Sequence, residues 1–376
     1  MTDREYVLGV DSGGSGLRAA LADPRGPGPD RSTETLLSAE PLLSAGPVRS
    51  AEPVHTGPRG IDAGHFLKQL LPMARALLDG AGGGRITAVC VGAAGLASLG
   101  DDLRAHLPAA LAEHLGVHRT ALAADAVTAY AGALGDRPGA VVAAGTGMIA
   151  TGMDPTAWHR ADGWGHLLGD CGGGAWIGRA GLEAALRQYD GRRGGSAALL
   201  ARAAERFGPL PELPGQLYPR PDRPAVLASF APDVADCAAD DPVARGILRE
   251  AARHIAEAAA AVCPRTEECE VALTGGLFHV GDPLFVPLSE ELADQLPHAR
   301  RVPAAGDPLD GALRIAADVA AVRLRLPRDG RMLSVHGNHP ADLPVEDIHV
   351  EVERTPGNGR GSPGDHRDES HGDDDS

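Results

Sequence analysis

Tyr6-Val7-Leu8-Gly9-Val10-Asp11-Ser12-Gly13-Gly14-Ser15-Gly16-Leu17-Arg18 is an apolar run that breaks into glycines and then resumes. The run Tyr6–Val10 predicts a β-strand, and Leu17–Ala22 predicts the strand that returns. Gly13, Gly14 and Gly16 let the backbone turn tightly and present N–H groups to an anion. Asp11, at the end of the first strand, is placed to hold a metal ion or an attacking water beside that anion. The same residues also spell a plain glycine-rich hairpin, so the choice between turn and phosphate loop falls to the rest of the chain.

The unit recurs. Ala140–Ala144 is apolar, Gly145-Thr146-Gly147 turns, and Met148–Gly152 leads out again; Val271-Ala272-Leu273 then runs into Thr274-Gly275-Gly276. Strand, glycine turn with a hydroxyl, strand, occurring twice, suggests two similar lobes facing a cleft. Three such turns suit a nucleotide: the first for the later phosphates, the second for the earlier ones, the third for base or ribose. Further strands are predicted over Arg85–Val91 and Ala121–Ala124, with a short one between Leu42 and His55. Helices are predicted over Ile61–Leu78, Leu103–Leu115, Val127–Leu134, Trp176–Tyr189, Ala197–Phe207, Val243–Val262 and Asp310–Leu324. From Pro327 the periodicity stops, and the Gly-, Asp- and Glu-rich segment Glu351–Ser376 predicts disorder.

Composition narrows the function. The 376 residues suit two domains, and 43% hydrophobic content supplies a sizeable core, which at 3% aromatics must be built of Ala, Leu and Val. A net charge of −16 argues against nucleic acid as a bulk partner, although local backbone N–H groups can still take a small anion. No apolar stretch is long enough to span a membrane, and the charged start Met1–Glu5 lacks a signal-peptide core. The five cysteines, Cys90, Cys171, Cys237, Cys263 and Cys269, form no CxxC pair and no zinc-type pattern; with their odd number, this points to a reducing cytoplasm.

Two further features carry chemistry. Gly163-Trp164-Gly165-His166-Leu167-Leu168-Gly169-Asp170 continues into Cys171-Gly172-Gly173-Gly174-Ala175-Trp176-Ile177-Gly178-Arg179, a run too glycine-rich for core or helix. Trp164 and His166 can meet a sugar face or edge, Asp170 can accept bonds from hydroxyls, and the N–H groups opening the next helix can point at a ligand. Asp125 ends the strand Leu122–Ala124, where a carboxylate faces the cleft of an open α/β fold and can take a proton from a substrate hydroxyl during phosphoryl transfer. It can equally cap the helix that follows.

Together these residues resemble the sugar kinases of the actin/Hsp70/hexokinase superfamily, in particular the N-acetylglucosamine kinase branch grouped with the BadF/BadG/BcrA/BcrD ATPases. The resemblance runs over about residues 6–320, with every motif in the family's order. It implies an α/β fold of two RNase H-like, actin-like ATPase lobes, each a mixed sheet of five-stranded type with flanking helices, and ATP, Mg²⁺ and a small-molecule sugar in the cleft. Residues 1–122 and a returning helix at about 309–324 would form one lobe, residues 123–308 the other, and 327–376 a tail. Asp11, near Mg²⁺, opens the first phosphate motif, with Ser12, Gly13, Gly14, Ser15 and Arg18. Gly145, Thr146 and Gly147 resemble the second phosphate motif, with Met148 in place of its usual Ser, and Gly275 and Gly276 the adenosine motif. Asp125 matches the catalytic base, while Gly95, Trp164, His166 and Asp170 fall in segments that hold the sugar. Cys171 stands where the family has Glu, Gly173 where it often has Ser, and Thr56–Ile61 lacks the Asn that helps to read an N-acetyl group. The expected activity is ATP-dependent phosphorylation of an amino sugar, N-acetylglucosamine to its 6-phosphate, in a chain with room for a homodimer. A BadF-type ATPase activator with an iron–sulfur cluster, for which Cys171 would be the candidate thiolate, and a non-catalytic sugar sensor are the alternatives.

Overall fold

The strand predicted from the opening motif exists and extends to both sides. β1 (Glu5–Gly13) buries Tyr6, Val7, Leu8 and Val10, so both of its faces are covered. The computed structural model describes residues 4–13, 16–25, 43–50, 52, 54–57, 60–266 and 269–337. Gly14 and Ser15 of the first turn, Pro58 and Arg59 of the Thr56–Ile61 segment, and the tail expected from 351 lie outside these.

β1 pairs antiparallel with β2 (Gly16–Ala22), Val7 opposite Ala22 and Gly13 opposite Gly16, and β2 pairs antiparallel with β3 (Leu43–Ser50). A two-residue ladder, β4 (Thr56–Gly57) with β5 (Gly60–Ile61), leads into the helix Ala63–Gly80. Asp62 caps that helix, its carboxylate accepting the His65 N–H. On the other side of β1 lie β6 (Arg85–Ala93) and then β7 (Thr120–Ala124), both parallel. A second sheet is built from β8 (Gly139–Ala144), β9 (Met148–Met153), β10 (Trp158–Asp162), β11 (Glu270–Thr274) and β12 (Arg300–Pro303), in the order β10-β9-β8-β11-β12. Its first three strands form an antiparallel meander, and the next two run parallel to the first. That is the topology of β3-β2-β1-β6-β7, so the recurrence of the motif reflects a repeated sheet. The first sheet carries a sixth strand, β13 (Leu333–His336), antiparallel at the β7 edge, in the stretch beyond Pro327 where no periodicity predicts one.

The fold is therefore mixed α/β, two sheets with flanking helices. The helix Asp125–Leu134 and the helix Pro308–Ala320 share one apolar cluster with residues of both sheets, among them Val7 and Cys90 of the first and Val141 and Ala272 of the second. The two helices approach closely at Gly311, where a Cβ would stand 1.9 Å from the Thr128 carbonyl oxygen. The outer face of the first sheet packs on the helices Ala63–Gly80 and Asp101–Leu115. The helix Gly174–Tyr189 and the helix Pro242–Val262 cover the second sheet, with Ile177, Phe230, Leu248 and Ile255 in their shared core. Cys263 and Cys269 are joined in a disulfide, a pairing across six residues that the cysteine pattern did not suggest.

Candidate active site

β7 ends at Ala124, and the helix Asp125–Leu134 starts without an intervening loop. Asp125 thus sits at the C-terminal edge of the first sheet and in the first turn of a helix, where the partial positive charge of the helix end favours a carboxylate. Its Oδ1 accepts the Ala126 N–H at 3.0 Å, and its carbonyl accepts the Thr128 hydroxyl at 2.9 Å. Burial raises its pKa, and the nearby Asp11 carboxylate pushes the same way; the Ala126 N–H and Arg160 pull it back. Asp125 lines a cavity of about 700 Å³.

Gly145, Gly147, Gly275, Gly95, Trp164 and Asp170 share that cavity wall with Asp125. Asp11, Ser12, Gly13, Arg18, Thr146, His166 and Gly276 lie off it. At the first turn, Asp11 Oδ2 accepts from Arg18 Nε (3.0 Å) and Nη2 (2.7 Å), and Arg18 Nη1 reaches Asp307 Oδ2 at 2.6 Å. Burial works against the Arg18 charge, but its bonds to the two carboxylates hold its pKa above the ordinary value. Asp307 meanwhile caps the last helix, its Oδ1 accepting the Leu309 and Asp310 N–H groups while Asp310 returns a bond to the Asp307 N–H.

The Gly163–Arg179 run is organised by carboxylates. Asp162 takes the N–H groups of Asp170 (2.5 Å) and Cys171 (2.8 Å), and Asp170 Oδ1 takes that of Gly165 at 2.9 Å. Asp170 adopts a left-handed backbone, φ 54°. Its Oδ2 comes so near the second turn that a Cβ on Gly147 would stand 2.3 Å from it, so a larger residue there would displace the Asp170 carboxylate. Burial raises the Asp170 pKa and Asp162 adds to it, whereas the Gly165 N–H, His166 and Arg160 lower it. Arg160 stacks over Trp164, 4.5 Å from the ring centroid.

One expectation changes here. The helix after this run starts at Gly174, and the N–H groups of Gly173, Gly174 and Ala175 are donated to the carbonyls of Asp170, Gly145 and Thr146. They stitch the helix beneath the second glycine turn and are not turned towards a ligand. Residues not anticipated from the sequence also line the cavity: Ser98, Ile149, Arg160 and Met332. Met332 comes from the segment before β13, and its carbonyl accepts the N–H of Ala124, the residue before Asp125, at 2.8 Å.

The surroundings of Asp11 are compatible with a hard cation beside phosphates. Arg18 occupies one carboxylate oxygen and, among the described residues, nothing engages Oδ1, and Mg²⁺ is ordinarily held by one or two carboxylates together with water and phosphate oxygens. The glycine turns offer backbone rather than side chains to a ligand, as a polyphosphate requires.

Known proteins share this architecture. A candidate N-acetylglucosamine kinase from Chromobacterium violaceum superposes with a TM-score of 0.59 at 26% identity, over 82% of this chain and 97% of that one. One from Porphyromonas gingivalis gives 0.56 at 17% identity, over 83% and 98%. The N-acetylmuramic acid/N-acetylglucosamine kinase of Clostridium acetobutylicum is 42% identical over 69 residues, which is 18% of this chain and spans only 22% of that relative's length. The match to the family model runs from residue 8, in β1, to residue 309, at the start of the last helix, and so takes in Asp11, Asp125, both later glycine turns and Asp170: the chain belongs to the BadF/BadG/BcrA/BcrD ATPase family.

Proposed function

We propose that this protein is an ATP-dependent sugar kinase that phosphorylates an amino sugar, N-acetylglucosamine at its 6-hydroxyl, with Asp125 as the general base. The observation that carries the reading is a carboxylate with a burial-raised pKa on the wall of one cavity with the turns at Gly145–Gly147 and Gly275. The N-acetylglucosamine kinase names of the Chromobacterium, Porphyromonas and Clostridium relatives support the acceptor class.

In this reading the backbone at Gly145–Gly147 and Ser12–Gly13 cradles the phosphates, with Arg18 as a nearby counter-charge, and Gly275–Gly276 borders the nucleoside. Asp11 Oδ1 would hold Mg²⁺, which offsets phosphate charge when bound. Asp170, Trp164, His166 and the Gly95 loop orient the sugar. Asp125 accepts the proton of the attacking hydroxyl through the oxygen not engaged by the Ala126 N–H. The chemistry asks little else of the protein, because positioning and charge neutralisation carry most of phosphoryl transfer. Protein with Mg-ATP and a panel of N-acetylglucosamine, N-acetylmuramic acid, glucosamine and glucose in a coupled ADP-release assay should give fastest turnover with N-acetylglucosamine. No sugar-dependent ADP release with any of the four would end the kinase reading; preference for another member would correct only the acceptor.

A further inference from the structure

The two bonded cysteines have a third neighbour. Cys263 follows the last turn of the helix Pro242–Val262, Cys269 precedes β11, and His298 precedes β12. Their Sγ and ring-nitrogen atoms all lie within 4.8 Å of one another. Cys263 and Cys269 are 7% and 1% exposed, and His298 is exposed. A helix end, the loop that follows it and a second loop 29 residues on thus bring two sulfurs and an imidazole to one point. That point is at the N-terminal edge of the second sheet, away from the C-terminal edge that carries Gly275.

Two features distinguish this cluster from a chance group. His298 Nε2 lies 3.2 Å from the Pro264 carbonyl oxygen, which can only accept, so Nε2 carries the proton and Nδ1 keeps its lone pair. A metal-ligating histidine is commonly fixed in this manner by a bond from its other nitrogen. Cys263 and His298 also share the wall of a cavity of about 400 Å³, giving an ion an entry path and a water a fourth position. The Cα atoms of the cysteines stand 7.0 Å apart, wide for a disulfide and readily spanned by two sulfurs each about 2.3 Å from one tetrahedral ion. By contrast, in the group Glu52, His55 and His65, both nitrogens of His65 are already engaged: Nδ1 faces the His55 N–H at 3.3 Å and Nε2 faces Glu52 at 3.1 Å.

We propose that Cys263, Cys269 and His298 form a binding site for a zinc-class divalent cation when the disulfide is reduced, water completing the coordination from the cavity. Two thiol groups, oxidised to a disulfide, or a phosphine with water, oxidised to its phosphine oxide, supply two electrons and two protons and open the S–S bond to two thiols. The cation then displaces both thiol protons to solvent and binds two thiolates and the Nδ1 lone pair. The site pins the end of a long helix to the starts of two parallel strands, so its role is structural.

The test uses the full chain, reduced by a phosphine under anaerobic conditions, freed of reductant and titrated with cobalt(II) alone. One equivalent should bind, with thiolate-to-cobalt charge-transfer absorption and the visible bands of tetrahedral cobalt, and zinc(II) should displace it. Oxidised protein should show neither. His298→Ala, an exposed position whose change leaves the core intact, should weaken cobalt binding by at least about ten-fold, and Cys269→Ser should abolish the charge-transfer band. Circular dichroism of both variants checks that they are folded. Reduced protein that takes up no cobalt, or a folded His298→Ala variant that binds it as tightly as the parent, overturns the proposal.

Discussion

Asp125 is under two opposing demands. As a base it must be ionised, yet burial and Asp11 penalise its charge. Asp125→Asn should therefore cut kcat by about 10²- to 10⁴-fold, the usual range for a lost general base, while leaving sugar binding by titration calorimetry nearly unchanged. Unaltered turnover would remove Asp125 from the role. The same raised pKa fixes the direction of the pH profile: activity falls as pH drops through it, so the acid limb of kcat/KM should lie above the ordinary aspartate range of about 4. For stability, the folded state holds this proton more tightly than the unfolded chain. Stability conferred by the neutral carboxyl is therefore lost as pH rises from the unfolded value through the folded one, and the loss persists above it. Asp125→Asn should accordingly raise the Tm at neutral pH and not at pH well below 4. Asp125 was legible in the sequence because a lone carboxylate ended an apolar strand. Arg160 was not: its place follows from the stack on Trp164, and no local pattern encodes that contact.

Most strands and helices could be read from periodicity, with ends displaced by a few residues where caps and pairing partners set the limits. β13 could not be read. Leu333-Ser334-Val335-His336 is four residues long, and its pairing with β7 is a contact across most of the chain. It matters to the site because Met332 lines the cavity, although it lies beyond the family match, which ends at 309. Met332→Ala should raise the acceptor KM by about ten-fold, the effect of losing apolar contact with a substrate, and leave the ATP KM in place. Equal changes in both would mean that the segment acts on the whole cavity instead of its acceptor side. Where the helix Pro308–Ala320 crosses the helix Asp125–Leu134, Gly311→Ala should cost at least about 2 kcal/mol in urea unfolding, because backbone rather than a yielding side chain meets the new methyl.

Across the molecule, the two sheets repeat one topology, and the loop Gly163–Gly169 stands at the cavity with Trp164 67%, Leu167 81% and Leu168 84% exposed. Apolar side chains left in water at a cavity rim suit a surface that is covered when ligands draw the lobes together. Acceptor and a non-hydrolysable ATP analogue added together should shift Trp164 emission to the blue, and the shift should vanish in Trp164→Phe; emission that ligands leave unmoved would rule out such covering. The duplicated unit was visible in the sequence, since three glycine turns each followed an apolar run. The placing of two helices between the sheets was not, because both read simply as apolar helices.

Arg18 ties Asp11, at the beginning of the chain, to Asp307, at the head of the last helix. That helix and β13 complete the first sheet's packing only after every strand of the second sheet has left the ribosome. During synthesis the first-made strands must wait, with one face of β1 and β6 only partly covered by the helix Asp125–Leu134, while the second-made lobe has all of its own strands at hand. A nascent chain halted before residue 307 would lack both the Asp307 carboxylate and that covering helix, so the first turn would assemble late although it is translated early.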